Sequence, residues 1–122
     1  MRDFRNLEVW QRGHKLVLAI YQATAAFPGA ELYGLTSQMR RAAVSVPASI
    51  AEGCGLGSPA ELKRYMQIAM GSASELEYHL LLAHDLKYLH DGQFEVLTTQ
   101  LVELRRMLNR FLQTLSRPDR GA

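Results

Sequence analysis

The chain lacks most of the features that commit a small protein to chemistry. Cys54 is the lone cysteine, so no internal disulfide can form, and no second Cys or His stands at zinc-ligand spacing from it. It reads as a plain, partly buried thiol, since a reactive one needs an exposed, electropositive setting. Apolar runs are only a few residues long, as at Leu80–Ala83, against the roughly 20 that cross a bilayer. No transmembrane helix is expected. The opening Met1-Arg2-Asp3-Phe4-Arg5 has none of the apolar core of a secretory signal, which makes the cytoplasm the expected location. The net charge of +2 is too small to demand a polyanionic partner.

The groupings of a catalyst are missing too. His14, His79, His84 and His90 form no metal-ligand pattern, and Glu75 with His79 is one helical pair without the partners that a di-iron bundle repeats on other helices. Gly53, Gly55 and Gly57 follow a helical pattern instead of a strand, so they read as a helix stop and not as a phosphate loop. No serine sits in a nucleophile elbow. A non-enzymatic protein with no catalytic residues, metal or cofactor is expected.

What is present is 122 residues of ordinary globular composition, 48% hydrophobic and 21% charged, which sets the expectation of one domain with one core. Apolar residues recur every three or four positions in four segments, and Gly, Pro and Asp punctuate them. The spacing predicts helices over about 6–26, 35–54, 59–90 and 92–116, with a tail at 117–122. In the first, Leu7, Trp10, His14, Val17, Tyr21 and Thr24 trace a face that Leu16, Ile20 and Phe27 broaden, with Asn6 as N-cap. The third opens on Ser58-Pro59-Ala60-Glu61, a capping box with proline at the first helical position. Leu62, Tyr65, Met66, Ala69, Ala73, Leu76, Leu80, Ala83 and Leu86 lie along its apolar side, and Asp91-Gly92 is expected to break it. The fourth carries Phe94, Leu97, Leu101, Leu104, Leu108, Phe111 and Leu115 at alternating steps of three and four, a coiled-coil seam. Helices of similar length on short connections give an all-α, antiparallel up-and-down four-helix bundle. The loop 27–34 is apolar, with Phe27, Leu32 and Tyr33, and is expected to fold back onto the bundle end or pack on a neighbour.

The second helix departs from a generic bundle. Pro47 lies inside it and predicts a kink. Gln38, Arg41, Ser45, Ser49 and Glu52 fall on one polar stripe beside Ala42, Ala43, Val46 and Ile50. Such small residues invite a close neighbour, and Gly71-Ser72-Ala73-Ser74 of the third helix is the expected one, with tight packing as the reason for a mid-helix Gly71. The stripe is either a solvated face or a partly buried network in which Arg41, Glu52 and Glu75 compensate one another. On the second reading it belongs, with the loop, at subunit contacts.

Toward the C-terminus Arg105, Arg106, Arg110, Arg117 and Arg120 gather. They are either a solvated cationic face, favoured by the helix dipole, or phosphate contacts to RNA or DNA. Tyr65, Tyr78 and Tyr88 sit at helical spacing and read as packing residues before base-stacking ones.

Taken together these residues resemble a known family. Phe4, Leu7, Val9-Trp10, Leu16, Tyr21 and Phe27-Pro28 are similar to its first-helix pattern, the block Leu35–Gly53 to its most distinctive segment, and Ile68–Glu77 to its third-helix signature. The family is that of the four-helix bundle proteins encoded in intervening sequences of bacterial 23S ribosomal RNA genes, and the likeness spans nearly the whole chain. The resemblance implies a bundle that associates into a ring-shaped homopentamer without enzymatic activity. Related accessory proteins of diversity-generating retroelements use such a ring to bind nucleic acid and a reverse transcriptase, so the resemblance also implies those partners. Ser49 departs from the family's usual asparagine. Leu56-Gly57 replaces a common basic position after Glu52-Gly53, which counts against nucleic-acid binding by this copy.

Overall fold

The computed structural model describes residues 2–117, and within them every long element is a helix. A short 3-10 turn at Phe4–Asn6 leads into α1 (Glu8–Thr24); a second, at Gly29–Glu31, lies in the loop before α2 (Leu35–Leu56), and α3 (Pro59–Asp85) and α4 (Asp91–Ser116) follow. The result is the all-α four-helix bundle.

Its core is one cluster drawn from all four helices. α4 contributes Leu97, Leu101, Leu104 and Leu108, the centre of the predicted seam, while Phe94, Phe111 and Leu115 lie half-buried at its ends. α3 buries Leu62, Met66, Ala69, Ala73, Leu76, Leu80 and Ala83, but Leu86 is 45% exposed because the helix has ended before it.

That end is the main correction to the boundaries read from sequence. α3 stops at Asp85 and not at residue 90, because Lys87 takes a left-handed backbone (φ 66°). The amide of Tyr88 bonds to Ala83 O and that of Lys87 to His84 O, both at 2.9 Å, a closure that usually recruits glycine. Asp91-Gly92 therefore opens α4 instead of breaking α3. His90 caps it, its Nδ1 accepting from the Gln93 amide while the Gln93 side chain accepts from the His90 amide.

Two further boundaries shift. Asn6 does not cap α1; it lies in the 3-10 turn, and Leu7 occupies the cap position without a side-chain bond. α2 runs on past Gly53 and Gly55 to Leu56 and closes at Gly57, whose φ of 77° suits a residue without a Cβ. Ser58 caps α3 as expected, accepting from Glu61 N at 3.2 Å.

The face of α1 is rotated from the predicted one. Its buried line is Val9, Gly13, Leu16, Ile20 and Thr24, whereas Leu7, Trp10 and Val17 flank it and His14 and Tyr21 are exposed. Trp10 stacks on His14 with centroids 5.0 Å apart, and amphipathic rings commonly take such a boundary position.

α2 and α3 do approach closely at small residues, though not at Gly71. A Cβ on Gly71 would meet nothing within 4 Å, so this residue faces outward and tight packing within the described residues does not explain it. Gly53 is the one wedged between helices: a Cβ there would lie 2.9 Å from Tyr65 Cβ and 3.3 Å from Leu62 Cα. α2 stays helical through Pro47, which is buried; a Cβ on Gly13 would lie 3.6 Å from Pro47 Cβ and Cδ.

Candidate functional site

α2 supplies the polar residues, and the α2–α3 seam decides which of them meet. The seam is held by Ser45 and Ser72, whose hydroxyls are 2.8 Å apart and half-buried. One turn along, Arg41 reaches across to Glu75 Oε2 at 3.3 Å and also donates to Gln38. His79 completes the group, with Nε2 3.6 Å from the same Glu75 oxygen. Ser49 is buried against the core.

Glu52 stands apart. It is exposed, and among the described residues it has no basic partner at ion-pair distance. The compensating network therefore contains Arg41 and Glu75 but not Glu52, because Glu52 lies three turns along α2 from Arg41. Arg41 is largely exposed, so its pair with Glu75 contributes at most about 1 kcal/mol to the fold.

His79 is the perturbed member. Its side chain is 12% exposed, with Nδ1 buried and unpartnered among the described residues. Burial pushes the imidazole below its ordinary 6.5; Arg41 adds to this, and Glu75 opposes it. The fold thus favours neutral His79, and the unfolded chain takes up the proton more readily. The contribution is complete above pH 6.5 and is lost as pH falls below it. Urea midpoints measured from about pH 7 to 5 are expected to fall more steeply for the natural protein than for His79→Gln; equal slopes would remove His79 from this account.

The loop end forms a second cluster that sequence reading only partly found. Phe27 is buried and packs on Tyr88, with centroids 5.4 Å apart. The Tyr88 hydroxyl donates to Glu31 Oε2 at 2.9 Å, which raises its pKa, and Glu31 Oε1 accepts from the Leu35 amide at 3.3 Å. So the loop does fold back onto the bundle end. Leu32 and Tyr33 are held outward by the same clamp, Tyr33 at 93% exposure. With Tyr21, Val44 and Arg40 they line one shallow groove. Arg40 stacks over the Tyr21 ring at 4.5 Å and donates from Nε to Thr24 Oγ1 at 2.9 Å. Nothing in the sequence signals Arg40 to Thr24 or Glu31 to Tyr88, since each pair is remote along the chain.

Three of the five C-terminal arginines lie beside carboxylates, with Arg106 and Arg110 still 72% and 69% exposed. Arg105 pairs with Glu77 at 2.7 Å, and Glu103 lies between Arg106 and Arg110 at 3.9 and 3.7 Å. Arg117 is exposed at the end of α4, and Arg120 lies outside the described residues. Tyr65 and Tyr88 are half-buried, while Tyr78 is exposed. Cys54 is buried, and desolvation raises its thiol pKa. Among the described residues no three His, Cys, Asp or Glu side chains could jointly hold a metal, and no helix is long and apolar enough to cross a membrane.

Comparison with known proteins supplies the decisive observation. The family model described as 23S rRNA-intervening sequence protein matches residues 5–110, from the first 3-10 turn to near the end of α4. The chain belongs to this family. A solved structure from Bacteroides thetaiotaomicron VPI-5482, described as a protein of unknown function from the S23 ribosomal protein family, gives the same fold. It superposes with a TM-score of 0.79 at 22% identity, covering 86% of this chain and 95% of that one. No curated protein matches the chain. The structural neighbour carries the bundle only, and neither comparison assigns an activity.

Proposed function

We propose that this chain is a non-enzymatic, cytoplasmic subunit of a ring-forming homo-oligomer, a pentamer by family resemblance, that serves as an accessory protein to nucleic acid or to a nucleic-acid-bound protein of reverse-transcriptase type. The observation that carries the assembly is the groove at the bundle end. Tyr33 is almost fully exposed on a loop that Glu31 and Tyr88 hold in place, beside exposed Leu32, Tyr21 and Val44. A clamped apolar patch of this kind marks a protein contact better than it marks a solvent face. The polar seam from Gln38 to Glu75 lies on the neighbouring flank and would form its rim.

A second reading, an oligomer with no nucleic-acid affinity, is favoured by the pairing of Arg105, Arg106 and Arg110 with Glu77 and Glu103. Salt separates the two. Light scattering of the protein with and without RNA is expected to show a multimer whose RNA-bound mass is lost as salt rises. A multimer that retains no RNA at low salt leaves the second reading, and a monomeric mass throughout removes both.

A further inference from the structure

His79 sits where a second positive charge has no easy place. Its side chain is 12% exposed, Nδ1 meets no partner among the described residues, and Nε2 lies 3.6 Å from Glu75 Oε2. The same carboxylate oxygen receives the Arg41 guanidinium at 3.3 Å from across the α2–α3 seam. Glu75 of its own helix and Arg41 of α2 are the charged groups that act on the imidazole, and among the described residues none from α1 or α4 does.

With a neutral imidazole the cluster holds one cation and one anion. Protonation makes it two cations around a single carboxylate, and partly buried charges are screened less than those in open water. One cation must then give way. His79 is enclosed and stays. Arg41 is free to leave: its side chain is 64% exposed, and its remaining bond is to Gln38 on its own helix. Glu75 also stands four residues before His79, the favourable order for an anion and a cation on one helix. The groove at the bundle end gives the released side chain a destination, because Arg41 already borders it beside Tyr33, Val44 and Arg40.

We infer that His79 is a proton sensor that sets the position of Arg41. With a neutral imidazole Arg41 is tied to Glu75 across the seam; with a protonated one Glu75 closes onto His79 within α3, and Arg41 turns toward the groove. The seam loses its ion pair but keeps the Ser45–Ser72 bond, so the helices stay together while the groove gains a second cation beside Arg40. Burial, the largest influence, holds the imidazole below its ordinary 6.5, Glu75 opposes it and Arg41 adds to it, so the exchange takes place as pH falls below 6.5. Its meaning for a partner rests on the reading of the groove as a subunit contact; the movement itself does not.

NMR of the full chain tests the sensor. The Arg41 Nε–H resonance, identified by its loss in Arg41→Lys, is expected to move toward the position of a free arginine side chain as the His79 imidazole takes up its proton. The two should share one midpoint above about pH 5, where carboxylates stay ionised. In His79→Gln the Arg41 resonance is expected to stay in place over the same range, and in Glu75→Gln to hold the free position already at about pH 7. An Arg41 resonance that stays put while His79 titrates, one that moves equally in His79→Gln, one still tethered in Glu75→Gln, or an imidazole neutral down to about pH 5 would overturn the sensor. Sedimentation of the same samples tests the contact separately: a monomer in which Arg41 still follows His79 removes the groove as a subunit contact and leaves the sensor standing.

Discussion

Leu76→Ala is expected to destabilise the fold by about 3 kcal/mol, a drop of roughly 10 °C in melting temperature for a domain of this size. Leu76 is completely buried in α3, at the centre of the cluster that all four helices share. Truncation there removes apolar area and leaves a cavity that packed neighbours fill only in part. Leu86→Ala is the control, because Leu86 belongs to the same periodic series in the sequence. It is 45% exposed beyond the end of α3, and its loss is expected to cost under about 0.5 kcal/mol. Thermal unfolding of both variants checks the pair; equal costs would mean that α3 continues through Lys87 as the sequence pattern suggests.

The second large effect is a difference of sign between two glycines. Gly53→Ala is expected to destabilise by about 1–3 kcal/mol, since the new methyl would lie 2.9 Å from Tyr65 Cβ and 3.3 Å from Leu62 Cα. Both atoms sit at or beside the backbone of α3, and they yield only if the helix moves. Gly71→Ala is expected to stabilise the folded chain by up to about 1 kcal/mol, because helix propensity improves and the methyl meets open space. Chemical denaturation of the two variants under conditions that keep the chains apart measures this directly. A destabilised Gly71→Ala monomer would contradict the outward placement of that residue.

These paired expectations show where pattern reading succeeds. Leu97, Leu101, Leu104 and Leu108 recur on one line of α4, and burial follows that line because nothing else on the helix competes for the core. Ser58 with Glu61 fixes the start of α3 by a local bond, so the signal and the structure share the same few residues. In α1 the apolar arc is wide, and two lines compete. Trp10, His14 and Tyr21 score as a face but carry polar edges that stay at the boundary, while Gly13, which has no side chain to score, goes inside against Pro47.

The candidate site was legible in part for the same reason. The stripe from Gln38 to Glu52 follows from helical spacing alone, and Arg41 with Glu75 was reachable by charge pairing. That Glu52 is left out depends on the register of α2 against α3, which no single helix encodes.

By itself the sequence determined the class of the molecule: four amphipathic helices, the Ser58 cap of α3, the seam of α4 and the family to which the chain belongs. Those are local properties, set by periods of three and four residues and by bonds within one turn. Only the tertiary structure decided which glycine is wedged and which is open, that Lys87 ends α3, that Glu31 clamps the loop through Tyr88, and that Arg105, Arg106 and Arg110 lie beside Glu77 and Glu103. The wedged glycine, the Glu31–Tyr88 clamp and the Arg105–Glu77 pair depend on distances between residues remote in sequence, and packing sets such distances only when all four helices are in place.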